Sequence, residues 1–216
     1  AACLPGDTGT ASNDRAAKPA GTTAEPLSPV VAVAMAVAAL GYGIMNLLMI
    51  QASMHMKHMH EDFSDVRLAI QWHVIAMFAP SFFTGAIIHK LGIRATICLG
   101  LCLLIGCTAM NMWSHSYAMM TLSLIALGLG WNLTYVGGGA LLAQTLQNSP
   151  AAMQMQGKND LAIAVFATVG AFSPSLLLGT VGWDGTNAIC MALCIVLLMA
   201  TAGLLQRKVS GPARAS

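Results

Sequence analysis

Six long apolar runs constrain most strongly what this chain can fold into. They cover residues 29–51, 67–88, 93–113, 117–142, 161–181 and 185–205, and the polar residues are concentrated in the breaks between them. Each run is close to the length of about 20 residues that a helix needs to cross the hydrocarbon core of a bilayer. Within lipid, backbone N–H and C=O groups must be satisfied inside the protein, which favours helices. The sequence therefore predicts an all-α membrane protein with six transmembrane helices.

Composition excludes several other classes of protein. Hydrophobic residues make up 56% of the chain and charged residues only 8%, against about 25% charged residues in soluble domains. The net charge of +2 comes without a basic patch, so no nucleic-acid partner is predicted. The chain has no P-loop, no dinucleotide-binding glycine pattern and no Ser/His/Asp set, so we predict that it is not an enzyme and holds no permanent cofactor. The lack of ATPase motifs favours a secondary transporter over a pump.

The two ends of the chain differ from its middle. Residues 1–27 are rich in Ala, Gly, Thr, Pro and Ser, a composition that buries too little apolar surface to order itself. We predict a flexible cytoplasmic linker at residues 1–27, a transmembrane bundle at 28–208 and a cytoplasmic tail at 209–216. Because no Met opens the chain and no basic stretch precedes the first apolar run, we predict no signal peptide.

Lys and Arg residues flank the apolar runs unevenly, and cytoplasmic loops of membrane proteins carry the excess of these cations. With a cytoplasmic amino terminus, that side holds eight of them: Arg15, Lys18, Lys90, Arg94, Lys158, Arg207, Lys208 and Arg214. The opposite side holds only Lys57 and Arg67. We therefore predict a multi-pass protein of the bacterial inner membrane with both termini cytoplasmic.

Glycine and proline residues inside the runs predict how the helices pack and bend. Helices in lipid associate where small residues let two backbones approach. Such residues include Gly41, Gly43, Gly100, Gly106, Gly128, Gly130 and the run at 137–139. Pro80 and Pro174 lie inside two runs, where the missing N–H predicts a kink.

The stretch GAIIHKLGIR, between the second and third runs, resembles the loop signature of the major facilitator superfamily. Its matching positions are Gly85, Lys90, Gly92 and Arg94, and His89 stands where the family usually has Asp. The resemblance implies a conformational loop between helices that rock against each other. It also implies that the six spans form one half of a major facilitator fold, whose halves consist of inverted three-helix repeats. We expect a carboxy-terminal half that pairs with an amino-terminal six-helix half in the lipid bilayer.

Methionine and histidine residues recur at helical spacing in the first two spans. Met45 and Met49 stand four residues apart on the first span, and His73 and Met77 do so on the second. This spacing places each pair on a single helix face. Counting 1.5 Å per residue, Met45 and His73 both lie roughly 9 Å below the periplasmic edge of antiparallel spans. Thioether and imidazole ligands select Cu(I), so the four residues predict a metal site with copper as substrate.

The segment between these spans holds six further soft or borderline ligands within seven residues. They are Met54, His55, Met56, His58, Met59 and His60. We interpret this segment as a candidate metal-capture loop on the periplasmic side, placed to collect copper and pass it inward.

The combined pattern resembles copper importers of the CcoA type within the major facilitator superfamily. Besides the Met and His pairs, the similarity rests on the amino-acid sequence of residues 70–85, 128–138 and 159–161. The resemblance implies that Met45, Met49, His73 and Met77 coordinate the ion. Asn132 and Tyr135, which carry polar atoms in the middle of a span, are candidates for lining the pathway.

Other interpretations of the same residues remain open. Methionine is a common apolar filler of helices, and His73 could hydrogen-bond to a neighbour instead of a metal. Bacterial riboflavin transporters resemble this group, and the spans offer aromatic rings for stacking a flavin: Trp72, Phe78, Phe82, Phe83, Trp131 and Tyr135. A non-transporting, copper-binding assembly factor is a further alternative. Asp160 is interpreted as a first-turn acid of the fifth span, where it suits the helix dipole.

Overall fold

The computed structural model describes residues 28–209, with side chains through residue 204. Within this range there are eight helices and no strand: α1 (Pro29–His58), α2 (Phe63–Phe78), α3 (Ser81–Leu91), α4 (Ile93–Trp113), α5 (Tyr117–Thr145), α6 (Ala152–Phe172), α7 (Pro174–Thr180) and α8 (Gly182–Val209). The predicted linker at 1–27 and the tail from residue 210 onward lie outside the described residues.

The eight helices make six membrane spans. Four of them, α1, α4, α5 and α8, are each long and apolar enough to cross a bilayer alone. The other four form two broken spans, in which α2 and α3 meet at a bend of 47° and α6 and α7 at a bend of 52°. The bends fall at Pro80 and Pro174, as predicted from the missing proline N–H. The six-span, all-α prediction is confirmed.

Two helix ends lie well away from their predicted positions. Helix α1 continues through His58, so the turn to α2 contains only residues 59–62 and most of the predicted loop is helical. Helix α6 begins at Ala152, so Asp160 lies in its interior and not in its first turn. Both extensions are rich in Met, Gln, Lys and Ala, which are good helix formers. Because these extensions are polar, the apolar runs end before the helices do.

The first three spans and the last three spans form two triplets. The second span of each triplet packs against the first span of the other triplet. Helix α5 lies at the centre and contacts α1, α2 and α4, while α1 packs against α6. The broken second span of the first triplet therefore packs on the first span of the second triplet, and the reverse contact joins α6 to α1. This exchange is the arrangement expected of inverted three-helix repeats.

Glycines set the distance between several helix pairs. A Cβ atom at Gly100 of α4 would lie 2.9 Å from the carbonyl oxygen of Gly130 on α5. At the contact of α1 with α6, a Cβ atom at Gly170 would clash with the Gly43 carbonyl. These positions confirm the predicted close backbone packing. By contrast, Gly106 and Gly139 have open space where a Cβ would be.

The contact of α2 with α5 yields a direct test of this packing. A Cβ atom at Gly128 would lie 2.7 Å from the backbone oxygen of His73 and 3.0 Å from the backbone nitrogen of Met77. We expect Gly128→Ala to push the helices apart at a cost of about 1–3 kcal/mol. Thermal unfolding of the detergent-solubilised protein measures the loss. Gly139→Ala, on the same helix, is the matched control and should leave the melting temperature unchanged or slightly raised; equal melting of the two variants contradicts the packing.

Candidate functional site

His73 is the most distinctive polar residue within the spans. It lies on α2 with no solvent exposure, and its Nδ1 is 2.7 Å from the backbone oxygen of Leu124 on α5. Because a carbonyl oxygen only accepts hydrogen bonds, Nδ1 carries the proton. The other ring nitrogen, Nε2, is buried without a hydrogen-bond partner. Its lone pair is therefore free, the arrangement found in metal-ligating histidines whose second nitrogen is held by a backbone carbonyl.

The three predicted thioether ligands lie on α1 and α2 and are buried or half-buried. Met77 follows His73 by one helical turn on α2 and is buried. Met45 on α1 is buried in the core, and Met49 is half-buried and packs against that core. Helices α1 and α2 contact each other at few positions; α2 packs chiefly on α5, and α1 packs on both α5 and α6, so α5 is the neighbour that the two helices share.

Ring contacts show which parts of α1 and α2 lie at the same depth. The ring centroid of Trp131 on α5 is 5.3 Å from that of Tyr42 on α1 and 6.1 Å from that of Phe78 on α2. Tyr42 and Phe78 therefore flank one indole from two antiparallel spans. They mark a common level from which the heights of the four ligands can be counted.

The heights of the four predicted ligands range from about 2 to about 10 Å above this level, toward the predicted periplasmic end, and we call this part of the bundle the His73 layer. At 1.5 Å per residue, Met45 lies about 5 Å above Tyr42 and Met49 about 10 Å above it. On α2, Met77 lies about 2 Å above the level of Phe78, and His73 about 7 Å above it. The described residues include no group of three or more His, Cys, Asp or Glu side chains placed to hold a metal. A metal in this layer would therefore depend on thioether sulfur beside the single imidazole.

Asn132 serves the backbone of the broken span and not an open pathway. Its Nδ2 donates to the Met77 carbonyl oxygen at 2.8 Å and to Ser81 Oγ at 2.7 Å. Its Oδ1 accepts from Thr84 Oγ1 at 2.6 Å, and the side chain is buried. These bonds lie beside Pro80, which contributes no N–H. The pathway-lining prediction for Asn132 is therefore replaced by a bracing role at the kink.

Tyr135, the other candidate for lining the pathway, is exposed. Its ring stacks on Trp131 at 5.1 Å and 14°, and Tyr42 meets it edge-on at 5.8 Å. Tyr135 also lines a cavity of about 460 Å³ between α1, α5 and α6. Tyr42, Trp131 and Tyr135 form an aromatic cluster, of which Tyr135 lines this cavity.

The far wall of the cavity belongs to α6 and is polar. Gln156 Nε2 and Asn159 Nδ2 each donate to the same oxygen of Asp160 at 3.4 Å, and Asn159 Oδ1 is buried without a partner. The wall therefore offers hydrogen-bond acceptors to whatever occupies the cavity. Sequence reasoning missed this role for Asp160 because it started the helix nine residues too late; the Met- and Gln-rich stretch before Asp160 was the signal.

The six residues of the candidate metal-capture loop do not form one cluster. Met54 lines a separate cavity of about 370 Å³ between the end of α1 and the start of α2. Met56 is fully buried in the core, and His55 contacts His115. The remaining three, His58, Met59 and His60, are exposed to solvent. Helical geometry explains the divergence, since successive residues of a helix point about 100° apart.

The loop motif forms a tight turn between α3 and α4. Gly92 has φ of 84°, a backbone conformation that favours glycine. Arg94 donates to the backbone oxygen of Leu204 near the end of α8 at 2.9 Å, where a cation also suits the helix dipole. His89 and Lys90 are exposed in the last turn of α3, and Gly85 has open space around it.

No protein-family model matches the chain. Its sequence is 31% identical over 173 residues to the riboflavin transporter RfnT of Brucella anthropi, a match that covers 80% of this chain and 43% of that protein. It is 34% identical over 140 residues to the uncharacterized MFS-type transporter YdeG of Bacillus subtilis, which covers 63% of this chain and 32% of the relative. A second transporter of that type from the same organism, YddS, is 35% identical over 130 residues, 59% of this chain and 29% of the relative.

These relatives support part of the predicted resemblance. They are transporters of the major facilitator type, a class that is generally not enzymatic, and the chain spans less than half the length of each. They do not single out the copper importers that the Met and His pattern indicated.

The hydrogen bonds that Asn132 makes at the kink should contribute to the thermal stability of the protein. We expect Asn132→Leu to leave the Met77 carbonyl and Thr84 hydroxyl without these partners, at a cost of about 1–3 kcal/mol. Loss of thermal stability in detergent measures this cost. Asn148→Leu, an exposed change beyond the end of α5, is the control and should leave stability unchanged. Equal stability of the two variants contradicts the bracing role.

Proposed function

We propose that this chain, one half of a major facilitator fold, works in a secondary transporter that imports copper by alternating access. The free Nε2 of His73 is the observation that carries the proposal. A buried nitrogen lone pair without a partner is costly in an apolar bundle, and a metal ion would satisfy it.

The donor set around His73 suits Cu(I). Imidazole and thioether ligands are borderline and soft, and Met45 and Met77 are both buried in the same layer of the bundle. All four ligands are neutral, so they would hold a monovalent cation without the cost of burying a carboxylate. Thioethers bind weakly, which favours release on the far side. Copper is thus the cargo in this proposal, not a resident cofactor.

The proposal requires a second six-helix half. The broken spans expose large apolar side chains, among them Phe78, Phe82, Phe83, Leu161, Val165 and Phe172. Lipid and an amino-terminal half would cover these faces, and the partner half would supply the other wall of the pathway. Rocking of the two halves would open the His73 layer to each side in turn. The Lys and Arg distribution supports an inner-membrane location with both termini cytoplasmic.

Riboflavin is the second candidate cargo, and a different observation favours it. The stacked pair of Trp131 and Tyr135 offers an aromatic face, and the adjoining cavity has acceptors at Asn159 and Asp160. A flavin has a flat ring system for stacking, and its hydroxyl and N–H groups would donate to the polar wall. The similarity to a riboflavin transporter supports this reading.

Uptake by cells that carry the full-length parent gene tests the copper proposal. We expect His73→Ala and Met77→Ala to lower copper accumulation at least tenfold, since changes even in residues that only orient a metal ligand cost about 10–100-fold. Met153→Ala, which removes an exposed thioether at the start of α6, is the matched control and should transport normally.

Normal copper uptake in both variants contradicts the site. A different pair of results is that the purified protein binds copper through His73 while deletion of the gene leaves copper uptake unchanged. That pair of results would identify the non-transporting assembly factor.

Riboflavin uptake in the same cells separates the two cargoes. If the flavin is the cargo, Tyr135→Leu should lower riboflavin uptake several-fold, because stacking on an aromatic ring is worth about 0.5–1.5 kcal/mol. Trp113→Leu, which removes a highly exposed ring at the end of α4, is the control. If Tyr135→Leu loses copper uptake but keeps normal riboflavin uptake, the ring does not act by stacking on a flavin.

A further inference from the structure

Two histidines from distant parts of the sequence meet at the predicted periplasmic end of the bundle. His55 lies in the last turn of α1, and His115 lies in the loop between α4 and α5. Nε2 of His55 is 3.1 Å from Nδ1 of His115, and the ring centroids are 5.2 Å apart. His55 is half-buried and His115 is exposed, so the pair is reachable from solvent.

The ring of His55 rests on a fixed aromatic platform. It stacks on Trp183 of α8 with centroids 4.2 Å apart and ring planes at 14°. Trp183 is itself buried, and its Nε1 donates to the backbone oxygen of Asn111 on α4 at 2.9 Å. One imidazole is therefore held in place by α8 and α4, while the other stands on an exposed loop and can adjust to a ligand.

The separation of the two nitrogens suits a shared metal ion. Two nitrogens bound to one tetrahedral cation at about 2.0–2.1 Å lie about 3.3 Å from each other. The observed distance of 3.1 Å is within about 0.2 Å of this separation. Without a metal, one ring must donate its proton to the lone pair of the other. A metal would replace that shared proton and accept both lone pairs.

The surroundings favour a cation held loosely. The Asp184 carboxylate, next to Trp183 on α8, lies close enough to attract a positive charge at His55, whereas His58 opposes one. Among the described residues no third His, Cys, Asp or Glu completes a ligand set. The remaining coordination positions would therefore be open to water or to an exchanging ligand, which distinguishes a transfer site from a closed structural site.

We propose that His55 and His115 form a two-imidazole site for copper and similar d-block cations, mounted on Trp183 at the mouth of the bundle. Binding of the ion stands by itself; the role of the pair as the first holding point for imported copper rests on the proposed function. The site narrows the predicted capture segment to one of its six residues and adds His115, which that prediction did not contain.

Zn(II) is the probe that separates this pair from the His73 layer, because Zn(II) favours nitrogen whereas the thioethers favour Cu(I). The full-length protein in detergent is titrated with Zn(II) in competition with a fluorescent zinc indicator. His55→Ala and His115→Ala should each weaken one binding event at least tenfold. His89→Ala, which removes an exposed imidazole in the last turn of α3, is the matched control, and His73→Ala should leave this event unchanged. Unchanged Zn(II) binding in both pair variants overturns the site.

Tryptophan fluorescence gives an independent measurement. Cu(II) bound at the pair would lie beside Trp183 and quench it, so the quenching should shrink in Trp183→Phe and in His115→Ala alike. Quenching that is unaffected in His115→Ala overturns the placement. Copper uptake at low external copper should fall in both pair variants and recover at high copper, whereas His73→Ala should remain inactive. Intact Zn(II) binding in a protein that moves no copper would retain this site and reject the proposed function.

Discussion

The contact between α2 and α5 is the interaction on which the rest of the structure depends. Three successive features hold it: the hydrogen bond from His73 to the Leu124 carbonyl, the close backbone approach at Gly128, and the bonds of Asn132 to the broken span. The same contact that joins the two triplets therefore also sets the tautomer of His73 and satisfies a carbonyl beside Pro80. Packing and ligand orientation cannot be separated here, because one helix surface provides both.

Much of the fold could be predicted because a bilayer imposes simple rules on sequence. Span length, proline kinks and small-residue packing are local or periodic properties, and they identified the six spans, the bends at Pro80 and Pro174 and the close approach at Gly100. Hydropathy could not locate the polar ends of α1 and α6, since a helix continues past the apolar region wherever its residues favour it. The role of Asp160 was missed for that reason.

The candidate sites were likewise predictable only where their residues lie on one helix. Spacing within one helix was enough to group His73 with Met77, but the partner of the ring, Leu124, stands 51 residues away and its carbonyl carries no sequence signal. His55 and His115 are 60 residues apart, and only the convergence of three helix ends brings them together. The type and helical spacing of side chains thus indicate which chemistry is present. Tertiary contacts decide which of these side chains belong to one site.

The glycine contact between α1 and α6 has a mechanical consequence. Gly43 and Gly170 let the two backbones touch, and about one turn further along α1 Asn46 Nδ2 donates to the Ala167 carbonyl oxygen of α6 at 3.1 Å, so the two helices are held together at this point. Asp160 stands ten residues along α6 from that point, a lever arm of about 15 Å. A tilt of about 10° would swing the carboxylate end by about 2–3 Å over that length. A tilt of α6 about this contact would therefore change the width of the cavity at its polar wall.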